Sequence, residues 1–424
     1  MTAPRPRWPW IVFLAIVGAL LVGASSIVAV RLTAPAPPAT VVINTTATLA
    51  LGGSAPPPIP VPAPGSFALS TSTAGTVASR NAAVERPIGS VAKAMTALVV
   101  LDALPLAPGA AGPSRTLTQA DVLLYRQAVA QGGSNLPVHA GEVLTERDLL
   151  LALLLPSADN IAESLAVWAS GNRTAFIARL NAKAVSLGMH HSHYADPSGL
   201  SNKTVSTAAD LVLLAKAVTE SPALVALVTV QQARMTDGTL LHNLDVLLQR
   251  VPGWLGIKTG WTGAAGGCLL FAARRAYGAA SNLSVTVWGA ILGQPAMTAP
   301  DPAHPELGAA FAGAQNAVTA VLGSYRVVNI AAADPSVSGT ISTPWGSRAA
   351  VELFAPRGSD NMLARGTLTF RLSVTAFKPK APIAAGAQVG EIDGITTDGT
   401  HVTWKVAASS AIAAPSWWWR LLND

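Results

Sequence analysis

The sequence predicts an α+β domain followed by a small β-rich domain, and three observations lead there. Helical patterns fill the chain from about residue 90 to 218, while strand-like runs flank them: Ser66–Ser70 and Gly75–Ser79 before, then Gly256–Thr259, Cys268–Ala273 and Leu283–Leu292 after. A sheet must therefore be assembled from distant segments of the chain. Beyond Val327, short alternating runs separated by Gly, Pro and Asp replace the helical pattern as far as Ala407.

Residues 8–30 form an almost unbroken apolar run with Arg5 and Arg7 before it and Arg31 after it. A helix of that length spans roughly 34 Å, enough for a bilayer core. A secretory signal has a shorter apolar region ending at a small-residue cleavage site, and the one clear A-x-A here, Ala34-Pro35-Ala36, is embedded in prolines. Residues 1–32 thus read as a cytoplasmic N-terminus and an uncleaved membrane anchor, with a long signal peptide as the alternative. The Arg5/Arg7 end is expected in the cytoplasm and the rest of the chain outside. Residues 33–65, rich in Pro, Ala and Thr, read as a linker in extended conformation, although Val41-Val42-Ile43 within it can pair with a sheet.

Ser66–Ser70 and Gly75–Ser79 read as a hairpin around a Ser/Thr/Gly turn, followed by an apolar helix from Ser90 to about Leu104. Thr145-Glu146-Arg147-Asp148 is a capping-box start for a helix that Pro156 interrupts. A new helix is expected from Ser157, followed by Phe176–Leu187, Thr207–Val218 and Leu307–Leu322. The resulting domains are 66–326 and a C-terminal β-domain over 327–408. The tail, 409–424, carries Trp417-Trp418-Trp419-Arg420, which suits either a membrane interface or packing on the β-domain.

At 424 residues the chain can hold two domains with a sizeable core. Net charge is +6, but only 12% of residues are charged and no dense Lys/Arg run occurs, so nucleic-acid binding is not indicated. The mild basic excess suits an acidic membrane surface or wall polymer. Cys268 is the single cysteine, which excludes an internal disulfide and a C-x-x-C metal or redox site. His190, His191 and His193 with Asp196 are weighed as a metal cluster and set aside, because adjacent histidines point apart. Cys268 reads as a buried inert thiol.

Chemistry concentrates in three short motifs. Ser90-Val91-Ala92-Lys93 places a lysine three residues after a serine, on one face of a helix start. A serine hydroxyl is a poor nucleophile until a base takes its proton, and a lysine with a lowered pKa can be that base. Ser157-Ala158-Asp159-Asn160 exposes a second serine at a helix junction, and Lys258-Thr259-Gly260 follows an apolar lead-in and precedes a glycine-rich exit. That pattern suggests a strand lining a cleft, with small residues such as Gly260 letting a substrate backbone lie alongside. It is not a phosphate loop, because Ile257 stands where G-x-x-x-x-G-K-[ST] requires glycine.

S-x-x-K, S-x-(N) and K-T-G in this order mark serine acyl-transfer enzymes that act on penicillin or its peptide analogue. The stretch from about Phe67 to Gly293 resembles the serine D-alanyl-D-alanine carboxypeptidases, the low-molecular-mass penicillin-binding proteins. The resemblance extends to Gly141-Glu142-Val143-Leu144-Thr145, Leu187-Gly188-Met189, Asp196-Pro197-Ser198-Gly199-Leu200 and Ser206-Thr207-Ala208-Ala209-Asp210-Leu211. It implies a penicillin-binding/β-lactamase-like catalytic domain, an antiparallel sheet flanked by helices with a helical subdomain, followed by the family's C-terminal β-domain.

It also implies a membrane-tethered, extracytoplasmic enzyme of the cell wall that removes the terminal D-alanine of peptidoglycan stem peptides through an acyl-enzyme, with β-lactams as inhibitors and no metal or organic cofactor. By the resemblance, Ser90 is the nucleophile, Lys93 its base and Ser157 the proton relay to the leaving D-alanine. Lys258 and Thr259 hold the terminal carboxylate, and the N–H groups of Ser90 and Trp261 form the oxyanion hole. An endopeptidase acting on cross-links needs the same site. A β-lactamase fits less well, since it needs a water-activating group for rapid deacylation. The remaining alternative is a catalytically weak wall-binding or scaffold homologue.

One position departs from the family pattern. Asp159 stands where asparagine usually does, with Asn160 next to it, and the resemblance places both as expected substrate-binding residues. An amide there donates to a substrate carbonyl and accepts from the lysine, whereas a carboxylate only accepts. Asp159 is expected to pair with Lys93 and oppose its role as a base, leaving an enzyme that is active but slow or selective. Bringing Asn160 into the slot would require a different helix start, since adjacent residues point about 100° apart on a helix.

Overall fold

The computed structural model describes residues 8–278, 283–298, 301–330, 335–354, 361–397 and 399–423. Arg5 and Arg7, on which the expected orientation rests, lie outside them. The first element, α1, is Trp8–Thr33, with its apolar side chains exposed along its length. Two compact units follow by contact: Pro56–Arg326, and a second made of Met1–Ala55 with Val327–Asp424.

In the first unit the sheet is five-stranded and antiparallel, in the order Trp254–Thr262, Gly266–Ala276, Ser284–Gln294, Ser66–Thr71, Gly75–Arg80. The N-terminal hairpin thus closes onto a strand more than two hundred residues later, with Ser70 opposite Trp288 and Phe67 opposite Ile291. Side chains alternate faces along a strand, so Trp288 and Ile291 point to opposite sides. On one side, Trp288 Nε1 donates to Thr219 Oγ1 of α7 (Ala208–Glu220) at 2.8 Å; on the other, Ile291 lies beside Gly313 in the later helix Pro305–Gly323. Helices therefore cover both faces of a buried sheet.

The helical subdomain begins with a 3-10 turn, Gly89–Val91, that runs into α2, Ala92–Ala103. Residues Ala92 to Val100 of α2 are all buried, Lys93 among them, which is the burial expected of a helix apolar on all sides. Around it stand α3 (Gln119–Ala130), α4 (Glu146–Leu154), α5 (Asp159–Ser170) and α6 (Arg173–Ser186). Thr145 caps α4 by accepting from the Asp148 N–H at 3.1 Å, while the Asp148 carboxylate accepts from the Thr145 N–H at 3.1 Å. The helix expected to start at Ser157 starts instead at Asp159: Ser157 adopts a left-handed φ of 68°, which no helical residue can hold.

The second unit is a seven-stranded antiparallel sheet over a core that includes Trp404, Phe370, Val389 and Ile392. Phe370 meets Trp404 edge to face at 5.8 Å. Residues 33–65, expected as a linker, contribute two of its strands. Thr40–Thr45 pairs with Val337–Ser342 and Thr48–Leu51 with Leu368–Ala376, so one short segment covers both edges of the sheet. Alternation explains it: Val41, Ile43, Leu49 and Leu51 pack on the core while Val42, Asn44, Thr48 and Ala50 face out. The end of the segment belongs elsewhere, since the Pro64 carbonyl accepts from Gln294 Nε2 in the five-stranded sheet. The tail forms one short helix, Trp417–Asn423.

Candidate active site

Backbone geometry brings the three motifs together. The turn Gly89–Val91 and the strand Trp254–Thr262 lie so close that a Cβ on Gly260 would stand 2.8 Å from Val91 N and 2.9 Å from Ile88 O, both backbone atoms. Only glycine permits that approach. From the other side, a Cβ on Gly199, whose φ is +80°, would collide with the Gly89 carbonyl. The loop 196–199 is further held by Thr96 Oγ1, which donates to the Pro197 carbonyl at 2.6 Å.

Lys93 is the hub. Its side chain is fully buried, and Nζ donates to Ser90 Oγ at 2.7 Å, Ser157 Oγ at 3.3 Å, Asp159 Oδ1 at 2.5 Å and the Ser198 carbonyl at 3.1 Å. An ammonium has three protons, so four acceptors share them. Ser90 reaches the hub because the 3-10 turn that runs into α2 sets residues three apart on one face. Ser157 reaches it through its left-handed backbone, a conformation that costs roughly 1–3 kcal/mol and aims the hydroxyl at the lysine.

The Ser198 carbonyl is the ligand that residue-type reasoning missed, because any residue carries one. The surrounding Asp-Pro-Ser-Gly stretch was the available signal. Asp196 fixes it by accepting from Ser198 Oγ at 2.7 Å, from Leu200 N–H at 3.0 Å and from Thr204 Oγ1.

Asp159 and Asn160 part company. Asp159, 7% exposed, turns into the site, and its N–H donates to the Ser134 carbonyl at 2.7 Å. Asn160, expected near substrate, instead binds the Leu136 backbone at both ends, accepting from its N–H at 3.0 Å and donating to its carbonyl at 2.9 Å. It pins the loop beside the site, for the geometric reason that neighbours on a helix diverge.

Lys258 and Thr259 are buried, and Trp261 stands half exposed at the rim. Burial, then the nearby Lys93 charge, lowers Lys258 well below the ordinary lysine range, against the opposing pull of Asp159 and Asp245. Lys258 Nζ donates to the Thr259 carbonyl at 3.2 Å. Behind it, Asp245 is itself pushed up to about 6 by burial, despite accepting from Trp254 Nε1 at 2.9 Å. The Ser90 nitrogen lies 3.1 Å from the space a Gly260 Cβ would fill, and the Trp261 nitrogen 3.2 Å from that of Gly89.

Elsewhere, the His191 N–H donates to Asp210 at 2.8 Å, and His193 pairs through its backbone with Val205. No group of three or more potential metal ligands occurs among the described residues. Burial pushes the Cys268 thiol up to about 12.

A buried lysine bonded to two serines, with a second buried lysine nearby, can chemically activate a serine hydroxyl for attack on a carbonyl. Residues 57–289, more than half of the chain, match the profile of peptidase family S11, D-alanyl-D-alanine carboxypeptidase. The chain belongs to this family. It is 36% identical over 192 residues to a D-alanyl-D-alanine endopeptidase of Escherichia coli K12, a match covering 44% of this chain and 58% of that one. It is 36% identical over 207 residues to a D-alanyl-D-alanine carboxypeptidase of Mycobacterium tuberculosis H37Rv, covering 47% and 66%. Over 63% of the chain its fold matches 99% of the Streptomyces K15 DD-transpeptidase, with 26% identity and a TM-score of 0.52. The matched region thus spans about three fifths of these two curated relatives and nearly all of the transpeptidase.

Proposed function

We propose that the protein is a serine D-alanyl-D-alanine carboxypeptidase that removes the terminal D-alanine of peptidoglycan stem peptides through an acyl-enzyme on Ser90. The observation that carries this reading is Lys93 Nζ, within hydrogen-bond reach of both Ser90 Oγ at 2.7 Å and Ser157 Oγ at 3.3 Å.

In the first step Lys93, in its neutral form, takes the Ser90 hydroxyl proton as Oγ attacks the carbonyl carbon of the penultimate D-alanine. The N–H groups of Ser90 and Trp261 stabilise the resulting oxyanion. The C–N bond then breaks, and the proton passes by way of Ser157 to the nitrogen of the leaving D-alanine. Water afterwards cleaves the Ser90 ester and regenerates the hydroxyl. Lys258, in its protonated form, and Thr259 bind the substrate's terminal carboxylate. Gly260, expected to make room for substrate backbone, instead lets the strand close onto the Ser90 turn, because Val91 N and Ile88 O fill the space its side chain would take.

Relatives named endopeptidase support a second reading in which the scissile D-alanyl bond belongs to a cross-link. The same chemistry serves both. The apolar helix α1 is read as a single membrane span with the catalytic unit on the outer side, and β-lactams as inhibitors that acylate Ser90. Incubation with a β-lactam followed by peptide mass spectrometry tests the nucleophile directly: the adduct is expected on the Ser90 peptide and absent in Ser90→Ala. An adduct elsewhere would overturn the assignment.

A further inference from the structure

Hydrolysis of an acyl-enzyme makes two demands at once. Water is a weak nucleophile until a base takes its proton, and the departing serine oxygen must regain one. Lys93 Nζ, 2.7 Å from Ser90 Oγ, is placed for the second task. A separate base beside it would allow both proton transfers in one step.

Asp159, at the start of α5, has the geometry of that base. Its Oδ1 lies 2.5 Å from Lys93 Nζ, so the carboxylate and Ser90 Oγ each stand one hydrogen bond from the same nitrogen. A water held by the carboxylate is thereby brought within reach of a carbon bonded to Oγ. Oδ2 accepts no hydrogen bond from the described residues, and its lone pairs are open to water. Gly133 makes the room: a Cβ there would collide with Oδ2. The Asp159 side chain, 9% exposed, also lines a cavity of about 440 Å³ that it shares with Ser198, Glu163 and the exposed Gln131. That cavity links the buried pair to solvent.

We propose that Asp159 is the base that activates water to hydrolyse the Ser90 acyl-enzyme. Its carboxylate takes a proton from water as the water oxygen bonds to the ester carbon. The C–Oγ bond then breaks, Oγ regains a proton from Lys93, and Lys93 recovers one from Asp159. Water and ester become a carboxylic acid and a free serine hydroxyl, and the site returns to its starting protonation. The carboxylate that hampers Lys93 during acylation thus serves the step that follows. The proposal rests on the reading of Ser90 as the acylated residue.

The test uses the full chain in detergent, acylated with benzylpenicillin and freed of excess antibiotic, with the adduct followed by intact-protein mass spectrometry. Asp159→Asn is expected to hold its adduct about 10²-fold longer than the wild type, the scale of general-base catalysis. Hydroxylamine, a nucleophile that needs no base, should remove the adduct from variant and wild type at rates within about twofold of each other. The wild-type adduct itself should last about twofold longer in D2O, because a proton of water moves in the step. Equal lifetimes in the two solvents would overturn the proposal whatever the variant does. A lifetime in Asp159→Asn equal to or shorter than that of the wild type would assign water activation to another group. A long lifetime that hydroxylamine does not shorten would mean a shielded ester, and a variant with wild-type circular dichroism that forms no adduct would place the carboxylate's work in acylation; either result rejects the proposal. An adduct that forms in Ser90→Ala would instead overturn the reading of Ser90 as nucleophile.

Discussion

Asp159 Oδ1 stands 2.5 Å from Lys93 Nζ, the shortest of the four hydrogen bonds that surround this amine among the described residues. The pair is almost wholly buried, so little solvent screens it. When Lys93 serves as base, its charge-assisted bond to the carboxylate is lost, whereas an asparagine would give up only a neutral one. Replacing Asp159 by Asn is expected to raise the second-order rate of acylation by a fluorescent penicillin about tenfold, a change of ~1.4 kcal/mol in the barrier. An unchanged or lower rate would show that the carboxylate has a productive role.

The seam between Gly260 and the Ser90 turn carries the second prediction. Gly260→Ala puts a methyl 2.8 Å from Val91 N and 2.9 Å from Ile88 O, and neither backbone atom can swing away. The strand must shift relative to the nucleophile, and a displacement near 1 Å costs roughly 10²-fold in rate. Turnover should fall by that order while the far-ultraviolet circular dichroism stays that of the wild type. Wild-type turnover in this variant would mean the seam does not position the reaction.

Lys258 predicts a pH dependence whose sign follows from its lowered pKa. Carboxylate binding needs the protonated form, so kcat/KM should fall as pH rises through the lowered value. Stability moves the other way: between that value and 10.5 the unfolded chain binds more protons than the folded one, and the lysine's burial penalty is relieved as pH rises. Lys258→Arg keeps its charge throughout this range. The residual activity of that variant should lack the alkaline fall, and a profile unchanged from wild type would assign the fall to another group.

Glu146 opens α4 with both carboxylate oxygens buried and without a hydrogen-bond partner among the described residues, and burial pushes it up to about 7. Its folded form holds a proton that the unfolded chain has already lost, so stability declines as pH climbs from about 4.5 to about 7. Glu146→Gln should flatten that decline and raise Tm at pH 8 by roughly 2–4 °C, equivalent to about 1 kcal/mol for a domain of this size. A Tm–pH profile parallel to wild type would contradict the burial argument.

How much of this was legible in the sequence depended on how local each relationship is. Ser90 and Lys93 meet because a helix brings residues three apart onto one face, and the spacing states that directly. Asp159 was readable as a partner of Lys93 from its residue type and slot. The Ser198 carbonyl was not, since its place depends on Asp196 holding a loop and on Gly199 fitting beneath Gly89. Asn160 looked like a substrate ligand only because it follows Asp159; one helical step turned it onto Leu136. The start of α5 was misplaced because nothing in a Pro-Ser-Ala stretch announces a left-handed serine. In the segment 33–65, proline content obscured a two-residue alternation whose partners lie about three hundred residues away. That one sheet joins distant segments followed from strand patterns at both ends of the helical region, while its antiparallel order came from the family resemblance.

The central claim is tested most directly by measuring free D-alanine released from an N-acylated L-Lys-D-Ala-D-Ala peptide by the full chain in detergent, beside its Ser90→Ala variant. The account predicts steady release by the wild type and none by the variant at equal folded concentration. Release that survives in Ser90→Ala, or a folded wild type that frees no D-alanine from any of several stem peptides, would contradict it.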